Sequence, residues 1–176
     1  MGLRREARER AVQFLFQYDL NPVESEGKEL AKNLNLFWDT HRLSDAGYEH
    51  GKATWGERVE LPPPTTRDAS LRVFAESLIQ GVLEHRKELD LKLQKYVKNW
   101  DMTRMAVVDR NVLRMAVFEL FYREDIPPVV TLNEAIEIAK RFSTRESGKF
   151  VNGILDRIRQ DILRPSRVSI KKPDAR

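Results

Sequence analysis

The chain contains no cysteine. That absence excludes disulfides, thiolate nucleophiles, cysteine-held iron–sulfur clusters and cysteine-ligated zinc, and it suits a reducing compartment. Stability has to come from packing, and 176 residues with 41% hydrophobic content are enough for a sizeable core. Long apolar runs are also missing: stretches such as Met105–Val108 stop after a few positions, against the roughly 20 residues a bilayer span needs. The opening MGLRREARER is followed by AVQFLF, interrupted by Gln13, which is not the pattern of a signal peptide. The expectation is a soluble protein with no membrane partner. Glycine and proline number eight each and gather most densely between residues 44 and 67, around Gly47, Gly51, Gly56 and Pro62-Pro63-Pro64. That stretch reads as a long loop or insertion.

Charge is plentiful and unevenly placed. The net value is +4. Residues 1–10 carry Arg4, Arg5, Arg8 and Arg10 against Glu6 and Glu9, and residues 164–176 carry Arg164, Arg167, Lys171, Lys172 and Arg176 against Asp174. Both ends are basic while the body is slightly acidic, a distribution that favours an anionic partner near the termini.

Helical periodicity runs throughout. Ala7, Ala11, Phe14, Leu15 and Tyr18 fall on one face of a helix over residues 3–20. Leu30, Leu34, Phe37 and Trp38 suggest a second helix. Leu71, Phe74, Ala75, Leu78 and Val82 mark a third, with Asp68 as N-cap, and Leu89, Leu93, Tyr96 and Val97 a fourth. Asp109 is placed to cap a heavily buried helix carrying Val112, Leu113, Ala116, Val117, Leu120 and Phe121. Pro127-Pro128 ends it. Thr131 and Glu134 have capping-box spacing for the next helix, whose apolar face is Ala135, Ile138, Ala139 and Phe142. A last helix over residues 147–163 turns Phe150, Val151, Ile154, Leu155, Ile158 and Ile162 inward. No run alternates with period two. The predicted fold is all-α, about seven helices.

Catalytic signatures are absent from this reading. Gly47–Ala53 resembles a phosphate loop but has three residues between its glycines instead of four and an alanine after Lys52, so a polar surface loop is the better description. His41, His50 and His85 form no metal-ligand pattern. No catalytic residue, cofactor or metal site is expected. Binding has more support. Arg5, Arg8, Val12 and Phe16 lie within about 80° of one another on the first helix, setting guanidiniums beside a ring, the combination that pairs phosphates and stacks unpaired bases. The alternative is that Phe16 is core and the arginines a solvated face. The polar connection Ser143–Lys149 leads into a helix start, where backbone N–H groups with Arg145 and Lys149 suit a phosphate, or else it is an ordinary helix–helix turn.

Three stretches in order carry a resemblance: residues 109–120, DRNVLRMAVFEL; residues 127–140, PPVVTLNEAIEIAK; and residues 149–156, KFVNGILD; the opening Arg8–Phe16 joins them. Together they resemble the NusB family of transcription antitermination factors over roughly residues 4–20 and 68–163. The resemblance implies two small packed helical bundles forming one domain over residues 1–163, followed by a basic tail at 164–176. It implies binding of boxA-type single-stranded RNA together with NusE, a small-subunit ribosomal protein, within an antitermination complex on RNA polymerase that supports transcription of ribosomal RNA operons in the cytoplasm. A homodimer is a further partner expectation. Carried onto this chain, the RNA contacts are Arg4, Arg5, Arg8 and Phe16 on the first helix, and Lys149 and Phe150 on the last. The cations would meet phosphates and the rings bases. The motif at 109–114 reads as architecture, with Arg110 and Arg114 pairing or snorkelling. Two other readings stand beside this one. One is a helical scaffold or oligomerising protein with only nonspecific RNA affinity, signalled by exposed hydrophobics around residues 71–97. The other is the RNA-binding module of an RNA methyltransferase, for which no glycine-rich strand-to-helix cofactor motif is present.

Overall fold

The computed structural model describes residues 2–22, 27–45, 63–97 and 102–163. Among them are seven α-helices and no strand: α1 (Leu3–Leu20), α2 (Lys28–Asp45), α3 (Thr66–Glu84), α4 (Arg86–Gln94), α5 (Val107–Tyr122), α6 (Pro128–Phe142) and α7 (Arg145–Leu163), with a short 3-10 turn at Met102–Arg104 leading into α5. The all-α expectation holds. The middle of the stretch 44–67, including Gly47–Ala53 and His50, lies outside the described residues, as does the tail 164–176.

α1 packs on α3, and α6 on α7, while α5 touches α1, α3, α4, α6 and α7 and so joins the two groups. Every residue from Asn111 to Glu119 is buried. A helix buried all round must find partners for its polar side chains, because an unpaired buried charge costs several kcal/mol. Its apolar side chains, Leu113 and Met115 among them, meet Leu15 of α1, Leu78 and Ile79 of α3, Ile138 of α6 and Leu155 of α7 in one core. α2 is attached more lightly. Phe37 meets Phe14 edge to face at 5.4 Å, and the Trp38 indole donates to Glu76 at 3.0 Å.

Four local expectations are corrected. α3 begins earlier than Asp68: Thr65 is its N-cap, and Asp68 at the third position completes a capping box, its backbone N–H donating to the Thr65 hydroxyl while its carboxylate accepts from the Thr65 N–H at 2.7 Å. α5 likewise starts at Val107, so Asp109 is not its cap but lies within the first turn and is buried. There it faces the positive end of the helix dipole. Pro127-Pro128 opens α6 as well as separating it from α5, since proline at the first helical position sacrifices only an N–H that has no partner anyway. This puts Thr131 and Glu134 inside the helix, where both make contacts described below. Phe121 and Ile162, expected inward, are exposed.

The 109–114 motif is architecture, as the sequence suggests. The Asp19 carboxylate at the end of α1 accepts from Arg110 at 2.8 Å, from Arg114 at 2.9 Å and from Asn111 at 3.2 Å, and it also pairs with Arg86. Arg114 holds Asp90 of α4 at 2.7 and 2.8 Å. One carboxylate thus ties α1 to α4 and α5.

Gly81 on α3 is required by close packing. A Cβ there would fall 2.0–2.6 Å from the Phe118 ring, which is buried and stacked on Tyr122 at 5.4 Å. Gly81→Ala is therefore expected to cost ~1–3 kcal/mol through overpacking, despite its gain in helix propensity. Urea unfolding checks this, and an unchanged or raised midpoint would contradict it.

Candidate nucleic-acid interface

The start of α1 sends its arginines in three directions. Successive side chains turn by about 100° along a helix, so Arg4, Arg5 and Arg8 need not share a neighbour. Arg4 is exposed, with its guanidinium 5.3 Å from the centre of the Phe74 ring on α3. It makes no ion pair with a described residue. Arg5 turns towards α6 and grips Glu134 with two bonds of 2.8 and 2.7 Å, and this hydrogen bonding holds the Glu134 carboxyl below the usual range. Its side chain remains 42% exposed.

Arg8 departs from expectation. Its side chain is 3% exposed and pairs with Glu119 of α5 at 2.7 Å, and the Thr131 hydroxyl donates to the same carboxylate at 2.7 Å. A guanidinium sealed in this way cannot reach a phosphate. Arg8 is a structural ion pair, and the acid that claims it lies 111 residues away in the chain.

Phe74, half-buried against the core, gathers cations in a way the sequence does not announce. Arg4, Arg8 and Arg123 all stand 5.3–5.4 Å from its ring centre. Arg123, just after α5, is fixed there by Asp125 at 2.8 Å and by a bond to the Ser77 hydroxyl at 3.0 Å. The Asp125 carboxyl is held below its ordinary range by the Arg123 hydrogen bond, with Arg4 adding to the effect. Phe74, Ser70, Val73, Ser77 and Arg123 line an open trough. Two of its three guanidiniums are neutralised by carboxylates, which leaves Arg4 as the cation with donors to spare. Phe74 reads as core from its periodicity. Its guanidinium neighbours come from other helices, and no local signal announces them.

Phe16 lies further along α1, away from this trough. It is half-buried and lines a hollow of 380 Å³ with Val12 and Gln13 of α1, Val108 of α5 and Phe142 of α6. Among the described residues no arginine or lysine lines that hollow, although Arg10 reaches His41 at 2.6 Å at its edge. Arg141, the neighbour of Phe142, reaches Glu9 at 2.8 Å and stands 5.4 Å from the Phe142 ring.

At the start of α7, the Thr144 hydroxyl accepts from the Ser147 N–H at 3.0 Å, so one of the backbone donors expected to meet a phosphate is already satisfied. Lys149 is 69% exposed and pairs with Glu146 in its own helix. Exposed pairs of this kind contribute little, and the ammonium remains available. Phe150 is half-buried and packs against the core. The six residues expected at the interface therefore do not form one patch. Arg4 and Arg8 meet at Phe74, Arg5 sits on the α6 side, Phe16 occupies an apolar hollow, and Lys149 and Phe150 belong to α7.

Among the described residues no helix is long and apolar enough to cross a membrane. The NusB family model matches residues 5–160. The transcription antitermination protein NusB of Trichlorobacter lovleyi is 44% identical over 158 residues, covering 90% of this chain and 91% of that protein. The structure of T. maritima NusB superposes with a TM-score of 0.65 at 35% identity, covering 90% of this chain and 91% of its own. A crystal structure of the antitermination factors NusB and NusE in complex with double-stranded RNA contains a chain of the same fold, with a TM-score of 0.64 at 22% identity, covering 92% of this chain and 98% of that one. With the family match reaching from α1 into α7, the chain belongs to the NusB family.

Proposed function

We propose that the chain is a non-catalytic, cytoplasmic antitermination factor, with residues 1–163 as its RNA-binding domain and 164–176 as a basic tail. It binds boxA-type single-stranded RNA together with NusE, within the antitermination complex on RNA polymerase, to support processive transcription of ribosomal RNA operons. Family membership over nearly the whole chain supports this reading. The observation that carries it in the geometry is the Phe74 ring held among guanidiniums beside the uncommitted Arg4.

The two partners need different surfaces. Single-stranded RNA wants cations for its phosphates and planar groups for its bases, and the trough at Phe74 offers both. Arg4, Arg5 and Lys149 then serve phosphates, while Phe74 and the Arg123 plane serve bases. Phe150, half-buried against the core as Phe74 is, is the ring contact on α7. The Phe16 hollow is walled chiefly by aromatic and aliphatic side chains, which suits a protein better than a polyanion. We therefore assign it to NusE. Val73 and Leu91, exposed as a scaffold would require, stand singly on different helices, which is ordinary for a surface.

Titration of the full chain with a short boxA-like RNA tests the assignment. Arg4→Glu is expected to weaken binding at least tenfold and to flatten the salt dependence by roughly 0.7 in logarithmic slope per lost phosphate contact. Phe74→Ala is expected to lose about 1–3 kcal/mol, the worth of one stacked base. Wild-type affinity for Arg4→Glu, with a normal melting curve, would overturn the RNA trough.

A further inference from the structure

A guanidinium carries five N–H donors, and a carboxylate that grips it side-on uses two of them. Glu134 of α6 takes the Nε and Nη2 edge of Arg5 in this way, at 2.8 and 2.7 Å. Nη1 meets no acceptor among the described residues, and the side chain is still partly exposed. The Nη1 end of Arg5 is thus held in a fixed direction with donors to spare. Its charge, by contrast, is already answered. Glu134 cancels it at contact distance, and the Arg5 hydrogen bond keeps that carboxyl below the usual range and so ionised at neutral pH. Two further acids act on Arg5, and both are occupied: Glu9 by Arg141 at 2.8 Å and Glu137 by Lys140 at 2.7 Å. Arg5 therefore sits where three cations match three carboxylates, whereas Arg4 beside it makes no ion pair with a described residue.

We propose that Glu134 is a specificity-determining residue of the RNA surface, presenting Arg5 as a directed hydrogen-bond donor with its charge cancelled. This rests on the reading of Arg5 as a phosphate contact. Nonspecific binding of nucleic acid is driven by charge and by the counterions it releases, with no demand on direction. A neutralised guanidinium adds little to it. A strand seated by its bases elsewhere on the surface brings a phosphate to the Nη1 end and gains the bond. Phosphate contacts do not themselves read sequence. Selectivity arises because specificity is a difference between two affinities, and Glu134 lowers the one that any strand would share.

Titration of the full chain with a boxA-like single strand and a scrambled control of equal length, at two salt concentrations, tests the role. Glu134→Gln keeps an acceptor for Arg5 and removes the charge. It is expected to tighten binding of the scrambled strand at least threefold and to steepen its salt dependence by about 0.7 in logarithmic slope. The boxA affinity changes less, so the ratio between the strands falls. A loosened fold would weaken both strands, so a gain in affinity separates selectivity from stability. Glu134→Asp restores the charge and is expected to return the scrambled affinity towards the unsubstituted value. An unchanged ratio in Glu134→Gln, a parallel loss with both strands, or a Glu134→Asp chain that behaves as Glu134→Gln would overturn the proposal while leaving Arg5 a phosphate contact. Arg5→Gln tests the reading beneath it. At least a fivefold loss of boxA affinity is expected, and unsubstituted affinity there would overturn Arg5 as a phosphate contact and the role of Glu134 with it.

Discussion

Arg8→Glu is expected to unfold most of the protein at 25 °C. The substitution removes the guanidinium from a pair whose members are 3% and 1% exposed and sets a second carboxylate against Glu119, whose remaining donor is the Thr131 hydroxyl. Breaking one side of a buried ion pair costs about 3–5 kcal/mol, and like charge adds to that. Total stabilities of domains are only about 5–15 kcal/mol. Circular dichroism and urea unfolding read the outcome directly. The double substitution Arg8→Met with Glu119→Leu removes both charges and is expected to recover most of the loss, because well-packed apolar replacements of buried pairs are often neutral. A folded Arg8→Glu chain with impaired RNA binding would instead return Arg8 to the interface, where helical projection alone places it.

Asp19→Ala is the second large effect. It leaves Arg110 and Asn111 without their carboxylate and Arg114 with Asp90 alone, so the expected cost is again ~3–5 kcal/mol. The pH dependence follows from the direction of the Asp19 shift. Burial pushes its carboxyl up, but the Arg110 hydrogen bond and the charges of Arg114, Arg86 and Arg110 outweigh burial and hold it below the ordinary value of 3.8. A carboxyl depressed in the folded state stabilises it above the unfolded value. That contribution is lost as pH falls below about 4 and through the lower folded value. Urea midpoints at pH 7 and pH 3 should therefore differ less in Asp19→Asn than in the unsubstituted chain. Equal differences would show that the clamp adds nothing to acid sensitivity.

Both predictions concern contacts that periodicity could not show. The stripe Ala7, Ala11, Phe14, Leu15 and Tyr18 is buried as read, because a helix face follows from spacing alone. The partners of polar side chains do not. Arg5 with Glu134, Arg8 with Glu119 and Glu9 with Arg141 are separated by 129, 111 and 132 residues. Only the packing of α1 against α5 and α6 decides which arginine is sealed and which is displayed. The capping-box spacing of Thr131 and Glu134 misleads for the same reason. α6 begins at Pro128, so the Thr131 hydroxyl is free to serve Glu119 and the Glu134 carboxylate to serve Arg5. Arg110 and Arg114 are legible as pairing residues, but Asp19 as their common acceptor is not. The proposed RNA surface is thus half legible: its cations at the head of α1 show in the sequence, while the ring proposed as its centre, Phe74, needs the fold.

On the proposed assignment the RNA and NusE bind through different residues of the chain. Affinity of the full chain for a boxA-like single strand and for a scrambled control, each with and without NusE and at two salt concentrations, tests this most directly. The account predicts sequence-dependent binding that NusE tightens and that weakens with salt. Equal binding to both RNAs, collapsing with salt and indifferent to NusE, would contradict it and leave the trough an ordinary basic edge.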